Sequence, residues 1–177
     1  MNPSTPSEFY DWFDLTDLSA IADPDDKVAE CEYFLMLAST ERDAQRFRWL
    51  MSAFFNAAYS FFEISAFNAY HAFQDSKSGE WLVDREALDT LRRYVEVDRD
   101  RRNPSRVKTK ALHKITKRLY ELRKGNTHHY PLSIMATGPS LPEDFQFGCV
   151  SGKEPPALAF CRDAISLIHQ VQTELER

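Results

Sequence analysis

Cysteine and glycine are scarce in this chain, and each scarcity removes a class of function. The three cysteines, Cys31, Cys149 and Cys161, are odd in number and lack the close pairing of a zinc site or a disulfide framework. They read as small buried residues of a protein kept in a reducing cytoplasm. The five glycines are scattered, so no glycine-rich loop is available to cradle a phosphate, and no Gly-x-Ser-x-Gly elbow presents a nucleophile. The first residues, Met1-Asn2-Pro3-Ser4-Thr5-Pro6-Ser7, have neither a basic start nor an apolar run and give no reason to expect export. The most apolar stretch, 47–73, is interrupted by Arg48, Asn56, Glu63, Asn68 and His71 too often to span a membrane. No internal repeat or low-complexity tract occurs.

What is present is enough for a real core. At 177 residues, 43% hydrophobic and 13% aromatic, the chain has the size and composition of one globular domain. Its net charge of -5 argues against a generic nucleic-acid coat but hides an asymmetry. Residues 92–124 hold thirteen Lys/Arg against four Asp/Glu, whereas residues 1–43 hold eleven acids against two bases. A basic block of this kind gathers phosphates by its field and by counterion release. It serves equally as a solvated face, or as a partner for acidic helices.

The apolar spacing predicts an all-α fold: a bundle of about five helices with a long central helix and a small irregular or hairpin insertion before the last one. Residues 1–22 form an N-terminal arm with Phe9, Tyr10, Trp12 and Phe13 set among acids, suited to docking or to a partner. The domain proper is expected over 23–177. Asp23-Pro24-Asp25-Asp26 starts a helix running to about Ser39, with an Asp cap, a first-turn proline and acids at the positive end of the dipole. Thr40 is a candidate cap for the next helix, whose aromatics on nearly every side from Phe47 to Phe73 mark it as central. Asp75-Ser76-Lys77-Ser78-Gly79 breaks it, and Asp84 caps a third helix carrying Leu88, Leu91, Val95 and Arg99, stopped at Asn103-Pro104. A fourth follows, with Val107, Ala111, Leu112, Ile115, Leu119 and Leu122 on one face and Lys110, Lys114, Lys117 and Lys124 opposite, ending at Gly125 as C-cap. Leu132–Ala136 and Phe145–Val150 are candidates for a hairpin, and a last helix follows Pro155-Pro156.

Two features carry chemistry. Ser52, Asn56, Ser60 and Glu63 fall on one stripe of the central helix. A carboxylate in an apolar rod needs a cation, and Arg123 is the expected partner; the stripe also suits solvent or a neighbouring helix. The second feature is Arg123-Lys124-Gly125-Asn126-Thr127-His128-His129-Tyr130-Pro131, where an arginine and a histidine stand four intervening residues apart at the end of a helical pattern. Arginine supplies a fixed cation with a planar fork of donors suited to phosphate, and histidine exchanges a proton near neutral pH. The same residues would also cap a helix C-terminus, where cations are favoured on their own account.

An Arg-x4-His element in a small helical chain resembles the HEPN superfamily. Arg123 and His128 match its motif, and His129 matches if the spacing is read as five. The resemblance implies a dimeric helical bundle and a metal-independent endoribonuclease, of the kind found in toxin–antitoxin, phage-defence and RNA-processing systems. Arg123 and His128 would then be catalytic, His129, Glu63, Asn56 and Asn126 supporting, and Lys110, Lys114, Lys117 and Lys124 would contact RNA. No metal or cofactor is expected. A homodimer and a protein antitoxin or regulator are the implied partners, without a membrane. The family also contains members without activity, which implies the alternative of a module that binds RNA, a nucleotide or a protein.

Overall fold

Asp23 and Asp43 fix where the first two helices begin. The computed structural model describes residues 23–99, 107–128, 131–148 and 155–176, with backbone alone at 99 and 126–128. The N-terminal arm therefore lies outside the described residues. Helix α1 (Pro24–Ala38) starts as the sequence predicts, with the Asp23 carboxylate accepting from the Asp25 N–H at 2.9 Å. Helix α2 (Ala44–Tyr70) is capped by Asp43, which accepts from the Arg46 N–H at 2.8 Å, and not by Thr40. The Thr40 hydroxyl instead donates back to the Leu37 carbonyl and closes α1.

α2 runs through the middle of the molecule. Phe47, Met51, Phe54, Phe55, Phe61 and Phe62 are all buried, and α1, α4, α5 and the β3–β4 hairpin pack around them. Cys31 and Cys161 lie in the same core, with Cys161 Sγ 3.5 Å from Met51 Sδ. Burial pushes the Cys31 thiol up to about 12 and the Cys161 thiol well above its ordinary value.

The expectation of an all-α bundle is corrected. Among the described residues there are five helices and three small antiparallel two-stranded sheets, so the fold is mixed. The first sheet, β1 (Phe73–Gln74) with β2 (Trp81–Leu82), brackets a turn in which Asp75 accepts from the N–H groups of Lys77 and Ser78. Those bonds to the charged form hold its carboxyl below the usual range. Gly79 adopts a φ of 69°, a left-handed conformation that explains a glycine there.

The third predicted helix is only partly present. Helix α3 (Arg85–Leu91) is capped by Asp84 as expected, but Val95–Arg99 is a strand, β3, paired with β4 (Val107–Ala111). Val95 and Val97 are buried between exposed Glu96 and Asp98, and Ala111 is buried beside exposed Lys110. That is a period of two, with β-branched residues facing in, and it outweighs the looser helical match of Leu88, Leu91 and Val95. Glu96 faces Lys110 and Asp98 faces Lys108 across the pair, with Lys110 Nζ 3.1 Å from Glu96. Val107 and Ala111 thus belong to a strand, and Lys110 does not share a helix with Lys114, Lys117 and Lys124.

Helix α4 (Lys114–His128) begins at His113, whose carbonyl accepts from the Lys117 N–H, and Thr116 is buried against the Tyr94 carbonyl. It continues past Gly125, which does not end it. No proline intervenes before Pro131, and the glycine keeps a negative φ, so it costs the helix something without breaking it. The predicted hairpin forms from β5 (Ile134–Ala136) and β6 (Phe145–Phe147). Phe145 packs on Phe47, and Phe147 on Phe55 and Phe160, which seats the hairpin on the core. Helix α5 (Ala157–Leu175) follows Pro156 and is tied to the hairpin turn by an Arg162–Glu143 fork at 3.0 and 2.6 Å. No described helix is long and apolar enough to cross a membrane.

Candidate functional site

The C-terminal half of α4 packs on α2 beside Tyr59, and the contact brings Arg123, Glu63 and Tyr59 together. Arg123 Nη1 donates to Glu63 Oε2 at 3.0 Å, the pairing expected of those two residues. Its guanidinium also lies 5.2 Å from the centroid of the Tyr59 ring. Tyr59 and Glu63 are one turn apart on α2, so one helix face presents both a carboxylate and an aromatic plane to the same cation.

Tyr59 is itself anchored. Its hydroxyl is 3.3 Å from Thr109 Oγ1 on β4, and its ring centroid is 5.4 Å from that of Tyr120. Burial, offset in part by the Thr109 hydroxyl, pushes the phenol above its ordinary value, so Tyr59 is a neutral platform at physiological pH. Lys124 Nζ stands 5.9 Å from the Tyr120 ring on the outer side. From Glu63 outwards the order is carboxylate, guanidinium, the two rings of Tyr59 and Tyr120, and the Lys124 ammonium.

The Arg123–Glu63 pair is partly open, with side chains 29% and 43% exposed. A pair so wet contributes about 0–1 kcal/mol to stability. Its physical effect is to fix a planar donor fork near the surface.

The other sequence candidates divide. His128 is the last residue of α4 and not part of an exit segment. Five residues of α-helix put its position about 7.5 Å further along and about 140° round the axis from position 123. The side chains of Asn126 and His128 lie outside the described residues, as does the whole of His129. Of the polar stripe on α2, only Glu63 meets Arg123 in a described contact. Asn56 is exposed two turns away, while Ser52 and Ser60 are half-buried. Lys114, Lys117 and Lys124 are exposed along α4, and Lys110 is exposed on β4. No group of three His, Cys, Asp or Glu side chains able to hold a metal occurs among the described residues.

Sequence reasoning missed Tyr59 and Tyr120, though the signal was there. Tyr59–Glu63 and Tyr120–Arg123–Lys124 fall at helical spacings of three and four, so each half of the cluster was visible on its own helix. It also missed a cleft of about 840 Å³ at the opposite end of α4, lined by Ile115, Phe147 and Phe160 and edged by Lys114, Lys117 and Arg118. Only the folding of β6 and α5 against α4 creates it.

No protein-family model, curated protein or solved structure matches the chain.

Proposed function

We propose that the chain is a metal-independent endoribonuclease of HEPN type, acting in the cytoplasm as a homodimer. The observation that carries this reading is the held guanidinium: Arg123 is locked to Glu63 and Tyr59 while remaining partly open, on the helix that also bears position 128. The chemistry is attack of an RNA 2′-hydroxyl on the adjacent phosphorus, with departure of the 5′-oxygen. One proton leaves the 2′-hydroxyl, one reaches the 5′-oxygen, and the crowded anionic phosphorane needs donors.

Arg123 supplies those donors in this scheme, and His128 moves the protons. Two copies of His128 facing across a two-fold axis divide the two transfers between base and acid, which is why the dimer is part of the proposal. His129 and Asn126 support the motif, with Glu63 fixing the guanidinium and Asn56 further along the same face. Lys110, Lys114, Lys117 and Lys124 hold the flanking phosphates. A toxin–antitoxin or defence setting, with a protein antitoxin as regulator, fits such an enzyme.

The test is incubation of the purified protein with defined RNA and a chelator, beside Arg123→Ala and His128→Ala. Cleavage lost in both variants is the expected result. Cleavage unchanged in both removes this site.

One observation favours a second reading, an RNA-, nucleotide- or protein-binding module without catalysis. The Arg123 guanidinium already has a carboxylate and a ring, so a phosphate must compete for its donors. Retained RNA binding by a protein that cleaves none of a broad RNA panel would favour this reading.

A further inference from the structure

The cleft beside the first two turns of α4 lies towards the other end of that helix from Arg123; its rim lysines are among those proposed to hold flanking phosphates, but it takes no part in the proposed proton transfers. Its floor is aromatic and aliphatic, from Ile115, Phe147 and Phe160, and its rim carries Lys114, Lys117 and Arg118. Glu121 and Asp163 also line it, with Glu121 spent on Arg118 at 3.5 Å. Two helices begin here, α4 at Lys114 and α5 at Ala157, and neither has an acid in its first turn. By comparison, α1 answers its positive end with Asp25 and Asp26 and α3 with Glu86, while α2 has only its Asp43 cap. The field in the cleft therefore favours an occupant that is both anionic and apolar.

The chain contains one such segment. Residues 1–22 carry Glu8, Asp11, Asp14 and Asp17 and no Lys or Arg, with Phe9, Tyr10, Trp12 and Phe13 between the acids. We infer that this arm seats in the α4–α5 cleft of its own chain, with its aromatics on Phe147 and Phe160 and its carboxylates against Lys114 and Lys117.

The reach is sufficient. The domain starts beside the end of α5, where Gln172 Nε2 donates to Asp25 Oδ1 at 2.8 Å. From Gln172 back to Phe160 is about 18 Å of helix. The eleven residue steps from Trp12 to Asp23 extend to about 36 Å, enough to travel along α5 and round it. Charge disfavours two other apolar patches exposed among the described residues. Tyr33 and Met36 share α1 with Glu30 and Glu32, and Phe73 and Trp81 sit beside Asp75 and Glu80, so both would repel an acidic arm. An arm so placed covers Lys114 and Lys117 and competes with any polyanion for them. Its docking stands whether or not the chain acts on RNA.

The full-length chain tests this through Trp12. Trp49 and Trp81 are 56% and 49% exposed, so Trp49→Phe with Trp81→Phe leaves Trp12 as the sole tryptophan, excited selectively at the red edge beyond tyrosine absorption, in a folded protein. The expected result is blue-shifted emission shielded from acrylamide, turning water-like when Lys114→Glu and Lys117→Glu are added. Adding Asp11→Lys and Asp14→Lys to that reversed pair should restore the shielding. Circular dichroism checks that the exposed-site changes leave the helices intact. Emission that is water-like from the start overturns the inference. So does shielding indifferent to the charge reversal, which would put the arm elsewhere, or shielding lost on dilution, which would put it on another copy. None of these readings involves RNA, so failure here is separate from failure of the nuclease reading.

Discussion

The two halves of α4 hold their cations in opposite ways. In the C-terminal half, Arg123 is fixed by a carboxylate at 3.0 Å and a ring at 5.2 Å, both presented by the central helix. In the N-terminal half, Lys114 and Lys117 are exposed at the rim of a cleft, and no ion pair is described for either. A fixed fork discriminates by geometry, whereas exposed ammonium groups attract by charge. On the proposed reading, the fixed end of the helix serves the chemistry and the open end serves capture.

Removing the fixed cation should give the largest effect. Arg123→Ala is expected to slow RNA cleavage by about 100- to 1,000-fold, the cost typical of losing one donor to an anionic transition state. Its midpoint in urea should move little, because the pair it breaks is partly solvated. A large loss of stability with unchanged cleavage would reverse the assignment of the two halves. Lys114→Ala and Lys117→Ala should instead weaken RNA binding by several-fold and lower the slope of log affinity against log salt by about 1 for each lysine that contacts phosphate. Filter binding over a range of salt reads both quantities, and an unchanged slope would exclude the lysines from the interface.

A smaller effect separates the halves within the helix itself. Gly125 has a negative φ, and nothing lies within 4 Å of a Cβ placed on it. Gly125→Ala should therefore stabilise the protein by about 0.5–1 kcal/mol in urea unfolding. A loss of that size would mean that the helix ends at the glycine, which would also detach position 128 from it.

The smallest effect lies outside α4 and serves as a control. The Arg162 guanidinium holds the Glu143 carboxyl below the usual carboxylate range. A depressed folded value means that the fork stabilises above the ordinary carboxylate range and that its contribution fades as pH falls through the lowered value. Glu143→Gln should flatten that part of the stability profile slightly, without changing cleavage at neutral pH.

The same contrast shows what could be read from the residues. The caps at Asp23 and Asp84, the buried aromatic helix and the hairpin of Phe145–Phe147 are local patterns, and each was legible. The Glu63–Arg123 pair was anticipated from a carboxylate set in an apolar rod, although Glu63 proves to be 43% exposed and so has no buried charge that compels a partner. The β3–β4 hairpin was not, since Val95 and Val97 fit either period until the partner strand of Val107 and Thr109 is placed beside them. The end of α4 was misplaced because glycine commonly follows a helix but does not compel it to stop. The α4–α5 cleft depends on the arrival of β6 and α5, contacts that no single stretch of sequence records.

The most direct measurement is the chemical identity of the RNA ends left by the wild-type protein in excess chelator. Attack by the 2′-hydroxyl leaves a 2′,3′-cyclic phosphate on one fragment and a 5′-hydroxyl on the other, and these ends should form with Arg123 present and vanish in Arg123→Ala. Fragments bearing 3′-hydroxyl and 5′-phosphate ends, produced only when a divalent metal is restored and equally by Arg123→Ala, would contradict it.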